Sequence, residues 1–316
     1  MPGKPWAYAL GYLFTFSVIG LLQGIRILYR NFVIGKSSVR LRLRIYKGDV
    51  ARMTLSLPRP WTVRAGERIS LGIPHVGIFY LFQSHPFTIT WWESDSKGRA
   101  VSISVLFRPR YGFTRKAIER IVPEQECGAW IDGPFGPSSI HTIGCSSTVG
   151  DYGHVFMVAT GIGIAAQLPY LKELLDGHDN AQVRTQKISL VWQVEREGDW
   201  ESARDWLQIL VAQDNGYMLH VTVYDQTQPQ SEIPVRHIGK NNLINIYGGV
   251  VDWEEQLDSE AKNQSGSLLV IISAQRHIQQ KIRQLVRARV YHGIEIFEPE
   301  FQPWSETGSL RAFLTP

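Results

Sequence analysis

Residues 6–25, WAYALGYLFTFSVIGLLQGI, form twenty consecutive positions without a charge. At about 1.5 Å per residue a helix of that length is roughly 30 Å long, the thickness of a bilayer's hydrocarbon core. Beyond it the period changes from helical to two. In residues 39–45, Val39, Leu41, Leu43 and Ile45 share one face and Arg40, Arg42 and Arg44 the other, which predicts a half-buried strand. Further strands are expected over residues 51–57, 68–73, 87–92 and 100–107, separated by Gly, Pro and Ser-Asp-Ser turns, with a short helix over 115–121. Strands at this spacing without long helices between them predict a small antiparallel β-barrel or sandwich ending near residue 140. A Gly-, Ser- and Thr-rich connection over 140–153 follows. Strands at 155–159, 188–194, 220–224, 243–247 and 268–273 then alternate with helices at 164–175, 200–214 and 278–289. That alternation predicts an α/β domain with a parallel sheet covered on both faces.

Charge sharpens this outline. The 316 residues carry a formal net charge of +4, yet residues 26–52 alone hold eight basic side chains against Asp49. Everything from Met53 onward is therefore net acidic, which excludes a generally basic, nucleic-acid-binding protein. The basic excess directly follows the apolar run and places the C-terminal domains on the cytoplasmic side of a single membrane-spanning or signal-anchor helix. A cleaved signal peptide fits less well, because the run is long and no small-x-small cleavage site precedes Arg26. Two cysteines, Cys127 and Cys145, give no disulfide framework and no thiolate metal site. No metal ligands are assigned.

Three segments carry candidate chemistry. Gly161-Ile162-Gly163-Ile-Ala-Ala166 follows a strand and opens a helix, where free N–H groups and the helix dipole favour a pyrophosphate. By itself it is also explained as a packing turn, and the acidic ribose ligand expected about twenty residues on is missing at that spacing, Glu195 lying about thirty away. Residues 85–90, HPFTIT, set an aromatic ring beside hydroxyls, suited to a flat heterocycle. Residues 108–114, RPRYGFT, set Gly-x-Thr at a helix start, suited to a diphosphate.

Taken in chain order, HPFTIT, RPRYGFT, IDGPFG (131–136), VATGIGIAAQLPYLKEL, ISLVWQVE and EFQPW (300–304) resemble the cytosolic half of the fungal ferric reductase family, which is related to the NADPH oxidases. The resemblance covers nearly the whole chain, residues 6–30 being similar to the last transmembrane helix before the FAD-binding domain. It implies a transmembrane helix and flank over 1–32, an FR-type FAD-binding barrel over 37–141, a ferredoxin-reductase-like NAD(P)-binding domain over 152–305 and a tail over 306–316. It also implies site residues. His85 and Pro86 would hold the flavin's ribityl and phosphate side, Phe87 would pack on the isoalloxazine, and Thr88 would bond near its reactive nitrogen, with Ile89 and Thr90 continuing the segment. Arg108, Gly112, Phe113 and Thr114 would cradle the FAD pyrophosphate. Thr160, Gly161, Ile162 and Gly163 would meet NADPH, Ser273 would supply a small polar contact beside the nicotinamide, and Trp304 would cover the flavin. Arg196 is the candidate for the 2′-phosphate.

The implied activity is that of a membrane-anchored, FAD-dependent oxidoreductase. It would take hydride from NADPH and pass electrons onward, as ferric-chelate reductases of the plasma membrane do in iron uptake. Alternatives are a degenerate, non-catalytic membrane-tethered interaction protein and an NADPH oxidase-like superoxide producer. Two departures bear on them: Ser273-Ala274-Gln275 stands where many such reductases carry Cys-Gly-Pro, and Gly248-Gly249-Val250 where Gly-Arg-Pro is expected. One apolar segment also leaves no place for the family's histidine-bearing helices, so haem is expected only in a missing or separate membrane partner.

Overall fold

The structure, a computed structural model, describes residues 5–33, 35, 38–77, 80, 83–136, 148–238, 243–263, 266–289, 293–301 and 303. Helix α1 (Pro5–Asn31) contains the apolar run. It is the one described helix long and apolar enough to cross a bilayer, and its apolar side chains project away from the rest of the protein.

The β-region forms two antiparallel sheets. β1 (Arg40–Tyr46), β2 (Val50–Trp61), β5 (Trp91–Ser94), β6 (Ala100–Phe107) and β7 (Glu126–Gly128) make a five-stranded sheet in the order β5-β6-β2-β1-β7. β4 (Pro86–Thr88), β3 (Arg68–Gly72) and β8 (Trp130–Phe135) make a three-stranded one. Leu41 and Leu43 of β1, Met53 and Leu55 of β2, and Ile69, Leu71, Ile103 and Val105 are fully buried in one apolar cluster. The alternation in β1 holds up to Leu43. Ile45, expected on the buried face, is exposed, because the strand leaves the core there and Tyr46 packs on the neighbouring domain instead. The expected single strand over 87–92 is divided into β4 and β5, which lie in different sheets. Helix α2 (Phe113–Arg120) closes this half.

The second half is a seven-stranded sheet in which β9 (His154–Thr160), β10 (Lys187–Val194), β11 (Leu219–Asp225), β13 (Ile244–Gly248), β14 (Leu268–Ser273) and β15 (Ile294–Phe297) pair in parallel. The edge strand β12 (Arg236–Ile238) pairs antiparallel with β13. Helices α3 (Ile164–Asp179) and α4 (Asp199–Gln213) cover one face, and α5 (Trp253–Lys262) and α6 (Arg276–Arg287) the other.

The halves meet along a buried seam. Val50, Ala65, Trp91 and Leu106 of the barrel belong to the same apolar cluster as the residues under α3 and α4. Trp91 stacks on Trp206 at 5.6 Å between ring centroids. Arg52, with its side chain 8% exposed, lies 3.7 Å over the Trp206 ring and pairs with both oxygens of Asp205 at 2.7 Å.

Candidate functional site

The expected flavin residues fall into an accessible set and a sealed set. Pro86 is exposed, while Thr88 and His85 are half-buried. The His85 ring lies flat on Phe113, 3.9 Å between centroids and 8° between planes, and its Nε2 is buried without a hydrogen-bond partner among the described residues. Burial lowers its pKa and favours the neutral ring, opposed by a bond the ring donates to the Tyr80 backbone. Phe87 points inward and meets Phe107 edge-on at 5.6 Å, so its ring packs the barrel core and is not set out for a flavin. Ile89 and Thr90 are fully buried, and Thr90 Oγ1 accepts from the Leu106 amide at 3.2 Å. Those bonds and that burial remove both from the residues able to touch a cofactor.

The turn before α2 is open. Gly112 has φ 88°, a left-handed value favoured by glycine, and a Cβ built there would meet nothing within 4 Å. Behind it Phe113 is a buried plug, and Thr114 Oγ1 accepts from the Arg110 amide at 2.7 Å, fixing the loop at the helix start. Arg108, expected with this turn, is engaged elsewhere. Its Nη2 donates to both Asp199 oxygens at 2.7 and 2.9 Å and its Nη1 to Glu195 at 3.3 Å, across the seam. Burial disfavours its charge, yet the two carboxylates hold its pKa above the ordinary arginine value.

On the nucleotide side, Gly161–Gly163 form a 3₁₀ turn between β9 and α3. Gly161 has φ 47°, and a Cβ there would lie 2.6 Å from Glu195 Oε2; a Cβ on Gly163 would lie 2.0 Å from the Ser273 carbonyl oxygen. Trp192 Nε1 donates to the Gly161 carbonyl at 2.9 Å, and Thr160 Oγ1 accepts from the Gln275 amide at 2.8 Å. Ile162 is buried. Gly163 is thus required by the protein's own backbone packing, and Gly161 is favoured by its positive φ and the carboxylate beside it. One acceptor is left over: Glu195 Oε1 is buried without a partner among the described residues, at the end of β10 beside the turn.

Ser273 is fully buried, and its Oγ donates to the Phe301 carbonyl at 2.9 Å, while Glu300 of the same segment pairs with Arg68 of β3. The C-terminal segment therefore runs from the end of β14 to the strand beside β4. Trp304 lies outside the described residues. Arg196 is half-buried with Nη1 3.9 Å from Asp49 of the β1–β2 turn. The structure brings Arg108 and Gly161 together through Glu195. Sequence reading passes over Glu195 and Asp199 as Arg108's partners; the available signal is a carboxylate at the C-terminal end of a sheet strand and another opening the next helix, the end of a parallel sheet where ligands bind. A second polar cluster, His154 with Glu260 at 2.9 Å and Lys187 with Glu260 at 2.7 Å, lies at the opposite end of the same strands, away from this corner.

Two family models match in this order: an FAD-binding domain over residues 36–139 and the ferric reductase NAD-binding domain over residues 152–267. The chain carries the paired FAD- and NAD-binding domains of the ferric-reductase-like family. No curated protein sequence matches it. The FAD- and NAD-binding pair is similar in fold to a ferredoxin NADP+ reductase from Neisseria gonorrhoeae, solved with bound FAD and NADP, at 11% identity and a TM-score of 0.50, over 84% of this chain and 100% of that one. It is also similar to the Amycolatopsis reductase GcoB, at 14% identity and a TM-score of 0.51, over 85% of this chain and 72% of that one. Against full-length CYP116B46 from Tepidiphilus thermophilus, at 12% identity and a TM-score of 0.51, 83% of this chain is covered and it spans only 28% of that protein. The paired domains make this ferric-reductase-like chain an NAD(P)H-dependent flavin oxidoreductase.

Proposed function

We propose that the protein is a membrane-anchored reductase that takes hydride from NADPH and delivers electrons to a ferric chelate by way of a haem-bearing membrane partner. The open turn at Gly112 carries the flavin part of this reading. It is a turn at a helix start that favours a glycine and leaves open space beside it among the described residues, where the backbone can approach a pyrophosphate. Beside it, the unpartnered His85 Nε2 is a ready polar contact, and Thr88 is the accessible hydroxyl of β4. FAD, when bound, accepts a hydride and releases its electrons singly.

The chain's own residues bind and orient. Pro86 and His85 flank the flavin, while Gly112, Phe113 and Thr114 hold its pyrophosphate through backbone groups. Glu195 Oε1 accepts from a ribose hydroxyl of the dinucleotide, with Arg108 balancing its charge. Thr160, Gly161, Ile162 and Gly163 line the dinucleotide side, Ser273 fixes the end of β14, and Arg196 serves the 2′-phosphate after turning from Asp49.

The purified full chain should be yellow and should bleach on addition of NADPH without air. A folded, colourless protein overturns the reading. Glu195→Gln should raise the KM for NADPH about tenfold and leave FAD retention unchanged, the loss of one charged hydrogen bond. A non-catalytic tether is the second reading, favoured by the closure of the glycine turn on Glu195, and it predicts a protein that holds flavin without bleaching. Superoxide release in place of ferric-chelate reduction would move the acceptor to oxygen.

A further inference from the structure

The junction between α1 and the barrel is built from several independent contacts. Asn31, fully buried, clamps β8 at both ends of its amide: its Nδ2 donates to the Ile131 carbonyl and its Oδ1 accepts from the Ile131 amide, each at 2.7 Å. Asp132 pairs with Arg26 at 2.6 Å and accepts from Gln23 at 3.3 Å. Phe32 meets Trp130 edge-on at 5.7 Å, and Arg26 lies 5.2 Å over Phe135. On the β2 side, Arg59 donates to the Tyr29 carbonyl at 3.0 Å and lies 3.7 Å over its ring, and Arg30 lies 5.1 Å over Trp61.

These contacts fix a depth. Trp130 meets Phe32 and Ile131 meets Asn31, while Arg26, about 8 Å earlier along the helix at 1.5 Å per residue, reaches its side chain to Asp132 and Phe135 farther along β8. The barrel therefore does not hang beyond the helix. Its β8 edge runs beside the last two turns, the stretch that follows the 6–25 run and corresponds to a headgroup layer about 5–8 Å deep. In that layer the protein exposes Tyr29, Phe32 and Trp130, at 58%, 44% and 39%. Arg30 and Arg59 lie over aromatic rings there and close no ion pair within 4 Å among the described residues, Asp132 and Glu67 acting on Arg30 from farther off. Aromatic rings with unpaired guanidinium groups are the composition of a bilayer interface.

We propose that β8, the end of β2 and the last turns of α1 form one platform seated among phospholipid headgroups, so that the flavin barrel rests on the membrane surface. The proposal depends on reading α1 as a membrane anchor. It commits to lipid as the occupant, because the platform is continuous with the exposed apolar helix and its guanidinium groups, closed in no ion pair among the described residues, match phosphate.

The test uses the full chain, with Cys127 and Cys145 replaced by Ser, in nanodiscs containing a nickel-chelating lipid, with one nitroxide label at Phe16→Cys, Trp130→Cys or Tyr217→Cys. The label at 130 should be relaxed by headgroup nickel at least threefold more than the label at 217, while the label at 16 is relaxed by oxygen and shielded from nickel. A label at Phe32→Cys, which replaces no barrel residue, carries the same expectation as 130. Asn31→Ala should bring the value at 130 toward that at 217 and leave 16 unchanged. Equal relaxation at 130 and 217 overturns the platform while the anchor stands. A label at 130 shielded from both headgroup nickel and an aqueous nickel chelate shows a protein partner there and also overturns it. A label at 16 exposed to water overturns the anchor, and the platform with it.

Discussion

The two glycine turns proposed to hold cofactors look alike in sequence and differ in structure. Gly112 opens α2 onto empty space, whereas Gly161 and Gly163 open α3 onto Glu195 and Ser273. The first glycine leaves room beside the backbone, and the second pair lets the protein close on itself. A glycine before a helix is therefore not one signal but two, separated by what a Cβ would strike.

The sharpest way to break that comparison is to add the Cβ. Gly163→Ala forces the methyl against the Ser273 carbonyl and should cost ~3 kcal/mol in a urea melt, as overpacking against rigid backbone does. Gly112→Ala meets no atom and carries only the strain of φ 88°, ψ −131°, ~2 kcal/mol, and should also lower FAD retention. Equal costs at the two positions would remove the distinction.

The seam joining the two turns gives a pH-dependent test. Glu173 of α3 is pressed on the Ala65 turn, and burial pushes its pKa up to about 7, against the Ala65 backbone bond that lowers it. A carboxyl raised above its unfolded value stabilises fully below the unfolded pKa, and this contribution is lost as pH rises through about 7. Glu173→Gln should therefore match the parent at pH 4 and exceed it by ~2 kcal/mol at pH 8 in denaturant melts. Parity at both values would show that the carboxylate reaches water in the folded state.

The smallest effect is expected on the exposed face of β1. Arg42 pairs with Glu126 at 3.1 Å with both side chains about half exposed, so Arg42→Ala should change the melt by no more than ~0.5 kcal/mol. The stripe Arg40, Arg42, Arg44 runs away from α1, since Arg40 pairs in register with Gly128 beside β8 and Arg44 with Glu124 near the far end. It is a solvated face, and the basic groups that border the helix are Arg26, Arg30 and Arg59.

What the sequence makes legible follows from periodicity. The apolar helix, the alternation of β1 and the strand–helix order of the second half all have strong patterns, and the structure has them within a few residues. β7, β8, β12 and β15 lack such patterns, being short or interrupted by Gly and Pro, and their strands exist because a neighbour supplies the hydrogen bonds. Helix α5 did carry a signal: Asp252 caps it by accepting from the Glu254 and Glu255 amides, and acidic residues fill its first turn. At the candidate site, the helix start at Gly112 was legible because its segment is local. Arg108 was not, because its partners lie 87 and 91 residues away and only the packed seam brings them together.

That triad of Arg108, Glu195 and Asp199 limits how modular the two domains are. Each has its own core and its own family signature, which invites building chimaeras by joining the flavin half of one relative to the nucleotide half of another. Such a graft would strand a buried guanidinium in one parent or two buried carboxylates in the other. A working exchange has to carry all three residues as a set, so the natural unit of inheritance here includes the border and not only the territories on either side of it.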